Sequence, residues 1–339
     1  MQIDVHAHFI HPSFFDPLEA LPGVWRRDLD GGAQELRRGN VTLLPRRDAW
    51  FDDNHCIADM DRKGIDIRLL SLTAPNVHAF EPAAQASLAR AINAAAFERC
   101  RRHPSRLRAL ACLPLADTNA ALAELDLVAA RPMCVGISMG SSNGAMPLNH
   151  PSLDPVWRRI NELRLPVVEH PGHPLNTEGI EEYELPIRVG FMFETTVALT
   201  RMIYSGIFER YSDFPYVVAH TGAALLMFSE RLDNGYRLFP DCRKDINRLP
   251  SDYIRRLHFD SCAFGRNALM FALSEVGAGH ILLGTDYPFI DTDAGHVKAL
   301  PVDAAARELM LWGNAARLFG LGDLTAQAAP GIHAGLSRQ

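Results

Sequence analysis

The 339-residue chain lacks the marks of membrane and nucleic-acid-binding proteins. No segment approaches 18 uninterrupted apolar residues, the length that a transmembrane helix requires. The net charge is −6, and no run of five or six like charges suggests a nucleic-acid partner. The chain begins with a predicted strand rather than with the charged and apolar regions of a signal peptide. We therefore expect a cytoplasmic protein with a small-molecule partner and no nucleic-acid or membrane partner.

Cysteine and glycine motifs are also missing. The six cysteines are scattered without a CxxC pair, and we interpret them as reduced core residues. No GxGxxG follows the first predicted strand, which removes the main support for a dinucleotide-binding, doubly wound sheet. The cysteines are Cys56, Cys100, Cys112, Cys134, Cys242 and Cys262.

The sequence does contain eight short apolar or β-branched runs, and helical stretches with recognisable ends separate most of them. This alternation predicts a parallel (β/α)8 barrel, an α/β fold of the TIM-barrel type, over residues 1–320. An open doubly wound sheet is the alternative. The predicted strands are 2–6, 66–72, 106–113, 133–138, 166–170, 216–220, 257–261 and 280–284.

Two segments depart from a plain barrel. Residues 21–53 form a long insertion after the first strand, and glycines at 31–32 and 39 predict small hairpins in it. Because the insertion follows a strand, it emerges at the carboxyl-terminal face and should cover the active site. Its arginines and tryptophans suit a carboxylate-bearing ligand. The tail, residues 321–339, has no clear periodicity, and we expect an extended or partly disordered arm that covers a neighbouring subunit.

His6 and His8 lie two residues apart in IDVHAHF, residues 3–9, the alternating run that begins with the first predicted strand. Side chains in a strand alternate between its two faces, so both imidazoles project from one face, away from Ile3, Val5 and Ala7. Two imidazoles in this arrangement can bind one cation.

Three further polar residues stand where predicted strands end: His170 on the fifth strand, His220 on the sixth and Asp286 after the eighth. A closed barrel brings these ends around one axis. Three imidazoles and one carboxylate then suit a divalent ion, Zn²⁺ first, with Mn²⁺, Fe²⁺ or Co²⁺ possible. We favour His220 as a neighbouring acid/base over His220 as a ligand. A second ion would need a bridging lysine or carboxylate at the end of the fourth strand, which has neither, so we predict one ion.

The chain resembles the amidohydrolase superfamily through IDVHAH at 3–8, VEHP at 168–171, AHTG at 219–222 and GTDYPF at 284–289. The nearest branch is that of 2-amino-3-carboxymuconate 6-semialdehyde decarboxylase and related nonoxidative decarboxylases. Further similar motifs are MDRKGI at 60–65, ETT at 194–196, SGIFER at 205–210 and NAARLF at 314–319.

The resemblance implies roles for individual residues. It makes His6, His8, His170 and Asp286 the metal ligands and His220 the catalytic histidine. It implies that Arg46 binds the substrate carboxylate and that the protein is a homodimer. Trp50 and Phe289 are expected to form an apolar wall, and His173 a hydrogen bond to substrate. The chain departs from the semialdehyde enzyme at Phe239, near which that enzyme has an arginine, and at His173, near which it has a tryptophan.

The leading hypothesis for function is nonoxidative decarboxylation of a small unsaturated or aromatic carboxylic acid. His220, or Asp286 acting through water, would deliver the proton that replaces CO2. The same residues also suit a hydrolase or hydratase acting on a lactone, a cyclic amide or a conjugated acid. A metal-stabilised binding protein without turnover is a third hypothesis, against which His220 and the arginine-rich insertion argue.

Overall fold

The computed structural model describes residues 1–328, and its centre is a ring of eight parallel strands surrounded by helices. All eight predicted strands are present. They are β1 (Ile3–Phe9), β2 (Ile67–Leu72), β3 (Leu107–Ala111), β4 (Cys134–Gly140), β5 (Val167–His170), β6 (Tyr216–Val218), β7 (His258–Asp260) and β8 (Ile281–Leu282).

The ring closes between β8 and β1. Each strand pairs in parallel with the next one along the chain. At the seam, the amide of Val5 donates to the carbonyl of Leu283 at 2.9 Å, and the amide of Asp286 donates to the carbonyl of His6 at 2.8 Å. The fold is therefore the predicted (β/α)8 barrel, and the alternative of an open sheet is wrong.

Strand β1 does not keep a simple alternation. Ile3 and Val5 pack with Ile67 and other strand residues in the cluster that fills the barrel, although the sequence predicted that they face away from the two histidines. The pairing of β1 with β2 shifts register between Asp4 and Ala7. A bulge of this kind changes which face the following side chains occupy. The histidines can therefore lie above the apolar filling of the barrel.

Helices cover the outside of the barrel and contribute to a large apolar core. Their ends follow local signals; for example, the Asp117 side chain accepts hydrogen bonds from the amides of Asn119 and Ala120 and so caps the helix that starts at Thr118. The α-helices are Pro12–Glu19, Asp53–Lys63, Pro82–Arg102, Thr118–Ala129, Asp154–Leu163, Phe191–Tyr204, Ile207–Arg210, Ser229–Leu238, Pro250–Ile254, Arg266–Val276, Gly295–Lys298, Ala304–Glu308, Asn314–Leu318 and Gly322–Ala328.

The insertion after β1 contains a three-stranded antiparallel sheet made of Val24–Asp28, Gln34–Arg38 and Val41–Arg46. Both turns contain glycine with positive φ, at 69° for Gly31 and 57° for Gly39, a conformation that costs glycine little. We refer to these three strands as the insertion sheet.

The first part of the carboxyl-terminal segment is not the extended arm that the sequence predicted. Residues Gly322–Ala328 are helical, and Leu321 and Leu324 pack against the apolar cluster inside the barrel. Burial of these leucines explains why the segment folds back on the barrel rather than extending. The rest of the predicted tail, residues 329–339, lies outside the described residues. Across residues 1–328, no helix has both the length and the apolarity needed to cross a membrane.

Candidate metal centre

Four of the predicted ligands converge at the carboxyl-terminal end of the barrel. His6 and His8 lie on β1, His170 is the last residue of β5, and Asp286 follows β8. One ligand atom from each residue lies within 4.8 Å of those of the other three. Parallel strands in a closed barrel bring their ends around one axis, so four donors distant in sequence meet there.

Two of the three imidazoles are oriented by hydrogen bonds at Nδ1. For His8 the partner is the Ser71 hydroxyl at 3.3 Å, and for His170 it is the carbonyl of Pro171 at 2.9 Å. Bonds of this kind hold metal-binding histidines and leave Nε2 free as the donor. Burial lowers the pKa of His8, and it lowers the pKa of His170 well below its ordinary value. Both rings are therefore neutral at pH 7, as metal ligation requires.

His6 is oriented by Asp260, the last residue of β7. Nδ1 of His6 hydrogen-bonds one carboxylate oxygen of Asp260, and the amides of Thr221 and Cys262 each donate to the other oxygen at 2.9 Å. Against the effect of burial, His6 lowers the pKa of Asp260 to about 2 and Asp260 raises the pKa of His6 to about 9. The buried Nε2 of His6 has no hydrogen-bond partner, which fits a position reserved for a cation.

Asp286 completes the group of four donors. Its Oδ1 lies 3.2 Å from Nε2 of His8 and 3.5 Å from Nε2 of His6. Burial raises its pKa, but the contact with His8 and the neighbouring imidazoles of His6 and His220 together outweigh burial and lower it. One carboxylate and three imidazole nitrogens within this space fit a single divalent ion.

His220 stands beside the four donors without joining them. Its ring centroid lies 5.1 Å from that of His6 and 5.3 Å from that of His170. Its backbone has a positive φ of 52°, which for a non-glycine residue is a strained conformation typical of functional sites. Burial, then the neighbouring His6, lowers the pKa of His220 to about 4. The ring of His220 is therefore neutral at pH 7.

A cavity of about 630 Å³ opens above the donors. His170, His220 and Asp286 line one part of it, and the insertion sheet and the segment 184–192 supply much of the remaining wall. Polar contacts tie the sheet to the rest of the barrel: the Thr42 hydroxyl donates to Glu184 at 3.1 Å, Arg37 lies 3.6 Å from the same carboxylate, and Nε2 of His173 lies 3.0 Å from the carbonyl of Leu43.

The two predicted apolar residues take different places. Phe289 lines the cavity, and its ring centroid lies 5.3 Å from that of His8. Trp50 is not among the lining residues and packs edge-on against Phe289 at 5.5 Å. Trp50 therefore supports the wall from behind instead of facing a substrate.

Arg46 and His173 are also placed away from the cavity wall. The Arg46 guanidinium bonds Asp48 at 3.1 Å and lies over the rings of Phe15 and Phe51 at 5.2 and 5.0 Å. His173 holds the insertion sheet through its contact with Leu43. The substrate contacts expected for these two residues are not supported by their positions, because neither lines the cavity and both the Arg46 guanidinium and Nε2 of His173 are engaged by the protein.

From the sequence, Asp260 is expected to have a structural role or to orient a neighbour or a substrate, and Arg188 is not predicted as a site residue. Asp260 ends β7, as the ligands end other strands, so its position in the chain was a usable signal. Arg188 lines the cavity from a short π-helical turn, Pro186–Gly190. It lies on a connection between β5 and the following helix, where strand periodicity gives no information.

Comparison with known proteins gives one family across the chain. The family model described as amidohydrolase matches residues 3–321. A gamma-resorcylate decarboxylase from Rhizobium radiobacter is 31% identical over 299 residues, which cover 81% of this chain and 91% of that protein. The 2-amino-3-carboxymuconate-6-semialdehyde decarboxylase of Dictyostelium discoideum is 29% identical over 242 residues, covering 70% of this chain and 67% of that protein.

A solved structure agrees with these relatives. The dihydroxybenzoic acid decarboxylase from Polaromonas sp. JS666, with bound manganese and the inhibitor 2-nitroresorcinol, superposes with a TM-score of 0.78. It is 25% identical, and the match covers 95% of this chain and 97% of that one.

Proposed function

Because this chain belongs to the amidohydrolase family, we propose that it is a metal-dependent decarboxylase of a small aromatic carboxylic acid with a hydroxyl group beside the carboxylate. One observation carries the proposal. His6, His8, His170 and Asp286 bring four ligand atoms within 4.8 Å of one another beside a cavity of about 630 Å³. His220 borders the same cavity, next to these donors.

The relatives support this reaction class. The two sequence relatives named above are decarboxylases of small acids, and the matched structure holds an aromatic inhibitor together with a metal ion. We propose one divalent ion in this chain. Zn²⁺ suits the nitrogen-rich donor set, and Mn²⁺ is the second candidate because the related structure contains it. When bound, such an ion would act as a Lewis acid toward the carboxylate and the adjacent hydroxyl oxygen of the substrate.

Residues of the protein would then orient the substrate and transfer the proton. Phe289 packs against the ring of the acid and limits its orientation. The neutral ring of His220 first takes the proton of the substrate's hydroxyl group and then delivers it to the ring carbon that bears the carboxylate. The bond between that carbon and the carboxylate breaks, its electron pair returns to the ring, and CO2 leaves. The proton thus replaces the lost carboxyl group, and no oxidant or reductant is needed.

Stoichiometric release of CO2 tests the proposal. Purified protein loaded with Zn²⁺ or Mn²⁺ is incubated with 2,6-dihydroxybenzoate and 2-hydroxybenzoate, and both CO2 and the decarboxylated ring are measured. Equal amounts of the two products are expected from at least one acid. Hydrolysis of a lactone or cyclic amide without CO2 from any hydroxybenzoate would overturn the proposal in favour of a hydrolase.

We also propose that two copies of the chain associate and that the protein is cytoplasmic. Val189, Phe193 and Val197 are spaced four residues apart along one helical segment, and each is at least 41% exposed. Exposed apolar stripes of this kind are typical of protein interfaces. All six cysteines are free thiols, which suits a reducing compartment. Light scattering after size-exclusion chromatography would give the mass of the assembly.

A further inference from the structure

Arg188 is an exposed, charged side chain at the cavity wall. Among the lining residues in the described part of the chain, it is the one lysine or arginine. No hydrogen bond or salt bridge of its guanidinium is present within residues 1–328. Because an arginine keeps its charge at every accessible pH, Arg188 supplies a permanent positive charge to the cavity wall.

Three arginines of the insertion after β1 are already paired. Arg27 and Arg37 each bond Glu35 at 2.6 Å, and Arg46 bonds Asp48. These contacts also offset the negative charge of Glu35, which would otherwise repel an anion entering the cavity. Arg188 therefore differs from its neighbours, because its five N–H donors are free for a ligand.

The backbone holds Arg188 in place although its side chain is free. The amides of Ile187 and Arg188 both donate to the carbonyl of Glu184, at 3.0 and 2.8 Å. Glu184 and the preceding Tyr183 have positive φ values of 56° and 54°, and the Glu184 carboxylate accepts a hydrogen bond from Thr42 of the insertion sheet. A π-helical turn and strained backbone often occur together at functional sites.

We propose that Arg188 binds a second carboxylate of the substrate, so that the preferred substrate is a hydroxylated aromatic dicarboxylic acid. This inference rests on the proposed function, in which the metal centre takes the carboxylate that is lost. A guanidinium recognises a carboxylate through two parallel hydrogen bonds. The cavity volume lies within the range of about 300 to 1,000 Å³ that is typical of ligand sites, which leaves space for a ring with several substituents.

The kinetic test compares two acids that differ by one carboxylate, 4-hydroxybenzene-1,3-dicarboxylate and 2-hydroxybenzoate. Metal-loaded wild-type protein is compared with Arg188→Gln, Arg188→Lys and the control Arg201→Gln, an exposed arginine farther along the same helical segment. For Arg188→Gln we expect KM for the diacid to rise about 10- to 100-fold with kcat within about twofold. KM for the monoacid stays within about twofold, and Arg188→Lys restores part of the loss.

The inference is overturned if Arg188→Gln leaves the diacid unaffected or impairs both acids equally. A binding measurement separates this outcome from failure of the proposed function. Benzene-1,3-dicarboxylate, which lacks the hydroxyl group, is titrated calorimetrically into the metal-loaded proteins. Weaker binding to Arg188→Gln alone supports the site even if neither acid releases CO2, whereas equal binding to all variants argues against it.

Discussion

The carboxylate of Asp260 accepts a hydrogen bond from Nδ1 of His6, and this contact leaves Nε2 of the same ring as the metal-facing atom. Asp260 sits on β7 and His6 on β1, two strands that are separated by β8 in the barrel. The contact fixes both the rotation of the imidazole and the position of its proton. Asp260 is thus a positioning residue that acts on the metal through His6.

Replacing Asp260 by Asn should weaken metal binding about 10- to 100-fold. The amide oxygen can still accept from the amides of Thr221 and Cys262, so the fold is retained while the charge beside His6 is lost. Competition with a metal-sensitive dye measures the affinity, and excess metal should restore CO2 release. Asp252→Asn, an exposed aspartate, is the control; equal affinities in the two variants would contradict the assignment.

Removing a ligand should have a stronger effect than removing its positioning partner. We expect His8→Ala to reduce the metal content from about one ion per chain to less than about a tenth, because a donor at the centre of the cluster is lost. Plasma mass spectrometry of the dialysed protein measures the content. The exposed His55 serves as the control, and His55→Ala should keep a full complement of metal.

Substitution of His220 by Asn tests whether this residue moves the proton. Turnover should fall about 10²- to 10⁴-fold, the usual contribution of a general acid or base, and the metal content should stay near one ion per chain. The prediction follows from the position of the ring beside the four donors but outside their group. Loss of the ion in His220→Asn would instead make His220 a ligand.

Arg46 should contribute to stability rather than to substrate binding. Arg46→Gln removes the contacts with Asp48, Phe15 and Phe51, and we expect the free energy of unfolding to fall by about 1 to 2 kcal/mol. KM for the acid identified by CO2 release should stay within about twofold of the wild-type value. Urea unfolding and steady-state kinetics measure the two effects, and a tenfold higher KM would return Arg46 to the substrate site.

His78 should make the fold less stable in mild acid. Burial lowers its pKa from 6.5 to about 4, so the unfolded chain takes up a proton at a higher pH than the folded protein does. The stability contributed by the neutral ring is complete above pH 6.5 and is lost as the pH falls toward 4. Between pH 7 and pH 5, wild type should lose about 1 to 2 kcal/mol more than His78→Gln does.

Urea unfolding of both proteins at the two pH values checks this prediction. Metal binding is itself dependent on pH, but this dependence is common to both proteins and cancels in the difference. An equal loss of stability in wild type and His78→Gln would show that His78 is not responsible.

The ends of the strands could be predicted from the sequence, because the runs of apolar residues and their positions in the chain are enough to locate them. His170 and Asp286 follow apolar runs, and closure of the barrel then determines that they meet. The bulge in β1 was not predictable in this way. An extra residue in the strand changes which side chains share a face with Ile3 and Val5, but it leaves the apolar pattern of the sequence unchanged.

The cavity wall was harder to predict because it depends on how two connections pack. The position of Arg46 in the insertion suggested that it binds the substrate carboxylate, yet its guanidinium is held by Asp48 and two aromatic rings. Arg188 carried no sequence signal, because its access to the cavity comes from the turn at Glu184. Side-chain partners in loops are set by tertiary contacts, which local periodicity does not encode.

The seam between β1 and β8 also has a consequence for biosynthesis. His8 and Asp286 are separated by 278 positions in the chain but lie 3.2 Å apart in the folded protein. A ribosome adds about 5 to 20 residues per second. At least about 14 seconds therefore pass between the synthesis of His8 and the synthesis of Asp286. The complete ion-binding site therefore forms only when the last barrel strand has left the ribosome, and metal loading is a late event in the maturation of this protein.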